Sequence, residues 1–112
     1  MKRLWLLNLV IAIMACYNAP TPPSKIGGAH VSSFHYENRD CESLLSEIKF
    51  LEIREKEFVK AQQERIKKSY NQQRWAEGIG IGDGIEASEL HRVRGEIKAA
   101  RGVFENKECT IR

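Results

Sequence analysis

The sequence predicts an all-α fold, an antiparallel two-helix hairpin, on three observations. Residues 40–76 hold no Gly or Pro and carry apolar side chains at helical spacing. A glycine-rich break follows at 78–84, and a second apolar stripe with a period between three and four runs over residues 85–106. Two amphipathic helices joined by a short connection bury their stripes most simply against each other.

The chain opens with Lys2 and Arg3, followed by an apolar run over residues 4–14 that only Asn8 interrupts. A bilayer span needs about 20 residues at about 1.5 Å each, so this run is too short for a permanent anchor. A basic segment, a short apolar segment and the small residue Ala15 fit a cleaved secretory signal covering residues 1–15.

The run Ile13-Met14-Ala15-Cys16 resembles the lipobox of bacterial lipoprotein precursors: an aliphatic residue, a variable one, a small one, then Cys. Met14 is the loosest match. The resemblance implies cleavage before Cys16, a diacylglycerol on its thiol and commonly a third acyl chain on its freed amine. At about 0.8 kcal/mol per buried methylene, two or three chains hold a protein on a membrane. Tyr17 stands after the cysteine, where the family's sorting rule uses Asp to retain a protein in the inner membrane. The implied location is therefore the outer membrane, facing the periplasm. The motif says nothing of activity.

Residues 16–39 are expected to form the lipidated cysteine and a flexible, disordered tether, because Pro20, Pro22, Pro23, Gly27, Gly28, Ser32 and Ser33 oppose regular structure. Such a tether would hold the folded unit a few tens of Å from the bilayer, at about 3 Å per residue. Removing Lys2 and Arg3 with the signal lowers the formal charge from +3 to +1, a balance that argues against a nucleic-acid binder.

The domain proper, residues 40–112, is small enough that one apolar core contributes only a few kcal/mol. With Cys16 acylated, Cys41 and Cys109 remain, in an oxidising compartment and bracketing the unit. A disulfide between them closes a long loop and stabilises by about 4 kcal/mol in the chain-entropy estimate. The expected fold is thus a disulfide-closed hairpin behind a lipid-anchored tether.

Within the first helix Leu44, Leu45, Ile48, Leu51, Phe58, Val59, Ile66 and Tyr70 carry the apolar spacing, while opposite charges three or four residues apart mark a solvated face. Arg65, Lys67, Lys68 and Arg74 cluster around Tyr70 and Trp75 as a candidate surface for anionic lipid or cell wall. The glycines of 78–84 end the helix. They lack the GK[ST] of a phosphate loop. Asp83 and Glu86 have capping-box spacing, ahead of a second helix whose stripe is Leu90, Val93, Ile97, Ala100 and Phe104.

The two helices differ in length by about 18 Å at about 1.5 Å per residue. A direct return would leave the cysteines apart. The mismatch is absorbed if residues 78–84 run back extended along the first helix, with Ile79 and Ile81 against its end near Tyr70 and Trp75.

His30, His35 and His91 lack mutual ligand spacing, and no nucleophile or paired-acid motif is present. No cofactor, metal, nucleic acid or small-molecule substrate is expected, and no enzymatic activity. Residues 86–101 also resemble the C-terminal helix of short proteobacterial envelope lipoproteins, a likeness that carries no activity. The expected function is a noncatalytic lipid-anchored envelope module that binds an envelope protein, the cell wall or a second copy, using apolar remainder that includes Phe50, Ile53 and Trp75. The competing expectation is a small membrane-active lysis, immunity or exclusion lipoprotein.

Overall fold

The computed structural model describes residues 18–75 and 80–110, the side chains of residues 73–75 excepted. Helix α1 spans Cys41–Trp75 and helix α2 spans Ile85–Asn106, and the two pack antiparallel. No strand occurs among the described residues. The molecule is elongated, 69 × 28 × 20 Å, as a hairpin with one 35-residue helix must be.

Local chemistry sets the helix ends. Asp40 starts α1: its Oδ1 accepts a hydrogen bond from the Ser43 amide at 2.7 Å, and its carbonyl accepts from the Leu44 amide at 2.9 Å. At the far end of α2, Glu108 adopts a left-handed conformation with φ 56°. The Glu108 amide then donates to the Glu105 carbonyl and the Cys109 amide to the Phe104 carbonyl. This pair of bonds is a Schellman closure, and it folds Cys109 back onto Cys41, whose Cα lies 5.5 Å away across the disulfide.

The core is graded along the axis. Nearest the disulfide, Leu44 and Ile48 of α1 meet Ala100, Val103 and Phe104 of α2, with Cys109 packed on them. Midway, Leu51 meets Val93 and Ile97, flanked by Phe58. Towards the turn the interior becomes polar: Gln62 and Ser69 are fully buried. The solvated flank of α1 keeps Phe50 and Ile53 more than half exposed.

Residues 18–39 depart from the expected tether. From Asn18 onward the chain is a strap laid along the hairpin, running from the turn to the disulfide end in the same direction as α2. Short 3-10 turns at Pro23–Lys25 and Ser33–His35 shorten it, and it buries Pro20, Ile26 and Tyr36. Tyr36 belongs to the disulfide-end core. The prolines and glycines that argued for flexibility instead let an irregular segment follow a helical surface, with its polar backbone groups bonded by side chains of both helices. The folded unit therefore includes residues 18–39 as well as the hairpin.

Two glycines permit the closest approach. A Cβ on Gly95 would collide with the backbone of Ala29, and one on Gly28 would sit 3.0 Å from the backbone of Arg94 and Gly95. The strap and α2 thus touch main chain to main chain. The Ala29 amide donates to the His91 carbonyl at 2.8 Å.

Candidate functional site

The strap, the turn and both helices converge at the turn end of the hairpin. Asp83 is the hub. Its carboxylate accepts from the Thr21 amide at 2.7 Å, the Thr21 hydroxyl at 2.5 Å and Gln62 Nε2 at 2.9 Å. Gln62 Nε2 also donates to the Thr21 carbonyl at 2.9 Å. The Thr21 hydroxyl, with its amide, Gln62 and Arg65 contributing further, holds the Asp83 carboxyl below its ordinary pKa, against a smaller opposing effect of burial.

This arrangement corrects the capping box expected of Asp83 and Glu86. The N-cap of α2 is Gly84, which makes no side-chain cap bond. Asp83 is turned towards the strap, and Glu86 pairs with Arg65 at 3.4 Å. The acceptors that would have capped the helix are committed to tertiary contacts of charged and neutral donors.

Arg65 clamps the turn. Its Nε donates to the Gly82 carbonyl at 2.6 Å and its Nη2 to the Ile81 carbonyl at 3.3 Å, while the Ile81 amide donates to Ser69 Oγ at 3.1 Å. The connection accordingly runs back along the last turns of α1, as the length mismatch requires. Ile81 is half-buried, and it shares a shallow hollow with Arg65 and Lys68. Gly80 and Gly82 have φ of 93° and 60°, conformations that favour glycine. Ile79 lies outside the described residues.

Gly82 also anchors the strap. Its amide donates to the Asn18 carbonyl at 3.0 Å, and a Cβ there would run into the Asn18 side chain.

The cationic cluster expected from the sequence is divided by this geometry. Arg65 is not available as a recognition residue, because its guanidinium is spent on the turn. Lys67, Lys68 and Tyr70 are exposed on α1 beside it. The side chains of Arg74 and Trp75, and Cys16 itself, lie outside the described residues.

A second knot sits midway along the strap. Arg94 Nη1 donates to the carbonyls of Pro23 and Ile26, each at 2.5 Å, and its Nε to Glu55 of α1 at 3.0 Å. His91 Nδ1 lies 2.6 Å from the Gly27 carbonyl, so the ring must present its proton there. Thr21, Gln62, Arg94 and Gly95 carried no motif in the sequence. Their only signals were a glycine inside an otherwise good helix and a glutamine on the apolar face of α1.

Gln62 Oε1 is buried without a hydrogen-bond partner. Among the described residues no group of His, Cys, Asp and Glu is arranged to hold a metal ion, and no helix is long and apolar enough to cross a membrane. Among the described residues, titration is displaced at three groups, Asp83, Arg92 and Tyr36. Asp83 holds the strap, Arg92 lies between Glu89 and Glu96, and Tyr36 is pushed up by burial and by Glu96 and Glu47.

These features define a disulfide-closed helical hairpin with a docked N-terminal strap. No protein-family model, no curated protein and no solved structure matches the chain.

Proposed function

We propose that the chain is a noncatalytic, lipid-anchored lipoprotein of the bacterial cell envelope, held by acyl chains on Cys16 in the outer membrane and presenting its hairpin to an envelope protein or the cell wall. The observation that carries this reading is the Ile13-Met14-Ala15-Cys16 run behind a short basic and apolar segment. A disulfide-closed small domain is consistent with an oxidising compartment. The polar clusters around Asp83 and Arg94 tie the strap to the rest of the hairpin. Among the exposed apolar side chains, Phe50 and Ile53 lie on the flank of α1 away from the packed core, where a partner can cover them.

The test is the mass and fractionation of the native protein. A mature chain beginning at Cys16 with diacylglycerol mass, in the outer-membrane fraction, and a Cys16→Ser form lost from that fraction, are the expected results. A chain beginning at Met1 without acyl mass would overturn the reading.

A further inference from the structure

We propose that the turn end of the hairpin faces the lipid headgroups and the disulfide end points away, so that the molecule stands on the bilayer without a spacer. The inference rests on the proposed acylation of Cys16. It follows from the clamp between Asn18 and Gly82, reinforced by the grip of Thr21 on Asp83.

Two peptide units separate residue 16 from Asn18, a reach of about 7 Å even when fully extended. Acyl chains on Cys16 therefore leave the protein close to the turn. The residues that would otherwise supply slack, 18–39, run the other way along α2 and are bonded by Arg94, His91 and the Gly95 approach. Helix α1 continues six residues past Ser69, where the turn is held, to Trp75, an overhang of about 9 Å. Its end and the acyl chains thus lie at the same pole. At the other pole, Phe34 is 70% exposed beside the disulfide-end core, separated from the turn by the length of α2, about 33 Å.

Lys67, Lys68 and Tyr70 are exposed near the membrane-facing pole and suit headgroup phosphates and the polar interface. However, Glu64, Asp83 and Glu86 offset Arg65, Lys67 and Lys68 there. The orientation is set by the covalent anchor and its clamp rather than by charge, and it holds on uncharged as well as anionic bilayers.

Trp75 is the one tryptophan left once residues 1–15 are removed, which makes it a native reporter. Lipidated protein is reconstituted in phosphatidylcholine vesicles carrying headgroup-region spin-labelled lipid. Trp75 emission should be quenched several-fold more than that of a Trp75→Phe, Phe34→Trp double variant, with little change at high salt. A Gly82→Ala variant, which displaces Asn18, should narrow the difference. Equal quenching at both positions, stronger quenching at position 34, or a difference untouched by Gly82→Ala would overturn the orientation while acyl mass on Cys16 leaves the lipoprotein reading intact. Absence of that mass would overturn both.

Discussion

Thr21 and Asp83, 62 positions apart in the chain, are joined by two hydrogen bonds, one from the Thr21 backbone amide and one from its hydroxyl. Together they turn an irregular N-terminal segment into part of the fold. Because both bonds are stronger to the ionised carboxylate than to the neutral acid, strap docking depends on pH. The folded-state pKa of Asp83 lies below its ordinary 3.8, so its contribution is complete above the unfolded value and disappears as pH falls through the folded one. Urea unfolding should show stability flat near neutrality and falling below about pH 4. Thr21→Val should lower stability by about 1 kcal/mol at neutral pH, discounted for the exposure of Asp83. The two proteins should converge in acid; a Thr21→Val deficit unchanged in acid would refute the linkage.

Two glycines of α2 separate helix propensity from strap docking. Alanine raises the intrinsic helix stability of either position by about 1 kcal/mol. A Cβ on Gly102 meets nothing, whereas one on Gly95 meets the Ala29 backbone. Gly102→Ala should raise the melting temperature. Gly95→Ala should keep α2 helical but expose the strap, seen as faster amide hydrogen exchange in residues 20–32 with α1 still protected. Unaltered strap exchange in Gly95→Ala would show that the approach is not needed.

The disulfide closes the end of the hairpin where the apolar core is richest. Replacing Cys41 and Cys109 by Ser should cost about 4 kcal/mol in the chain-entropy estimate, measured as a lower urea midpoint. The first turn of α1 and the last of α2 should lose exchange protection before the turn end, where Arg65 and Asp83 hold the connection independently. Loss of protection at the turn first would contradict this division.

Glu108 occupies a left-handed position that costs a non-glycine residue about 1 kcal/mol. Glu108→Gly relieves that cost and pays part of it back in unfolded-chain entropy, so a small rise in melting temperature is expected. Glu108→Val, β-branched, should lower it by more. Thermal melts of the oxidised protein distinguish the two, and equal effects would argue against the Schellman closure as the cause.

Tyr36 adds an alkaline limit. Its phenol is pushed up from 10.0 by burial and by Glu96 and Glu47, so the neutral form is favoured in the fold. Its stabilising contribution is complete below the unfolded value and is lost as pH rises through the folded one. Tyr36→Phe should flatten the decline of stability above about pH 10, measured by urea unfolding.

Local sequence determined the two helices, their break and the closure. Apolar spacing, the absence of Gly and Pro over residues 40–76 and the glycines that follow are short-range properties, and they placed α2 at its observed limits and α1 within a residue. The length mismatch also forced the connection to double back, because covalent reach admits few alternatives. What only the tertiary structure decided is the fate of residues 18–39 and of Asp83. Prolines and glycines look alike in a free tether and in a docked strap, since both lack periodicity. The difference lies in distant donors, Gln62, Arg94 and His91, meeting that backbone across 41 to 71 positions of chain. Likewise a carboxylate with capping-box spacing can bond its own helix or a strap, and the stronger set of donors, supplied by Thr21 and Gln62, was invisible until the chain had folded.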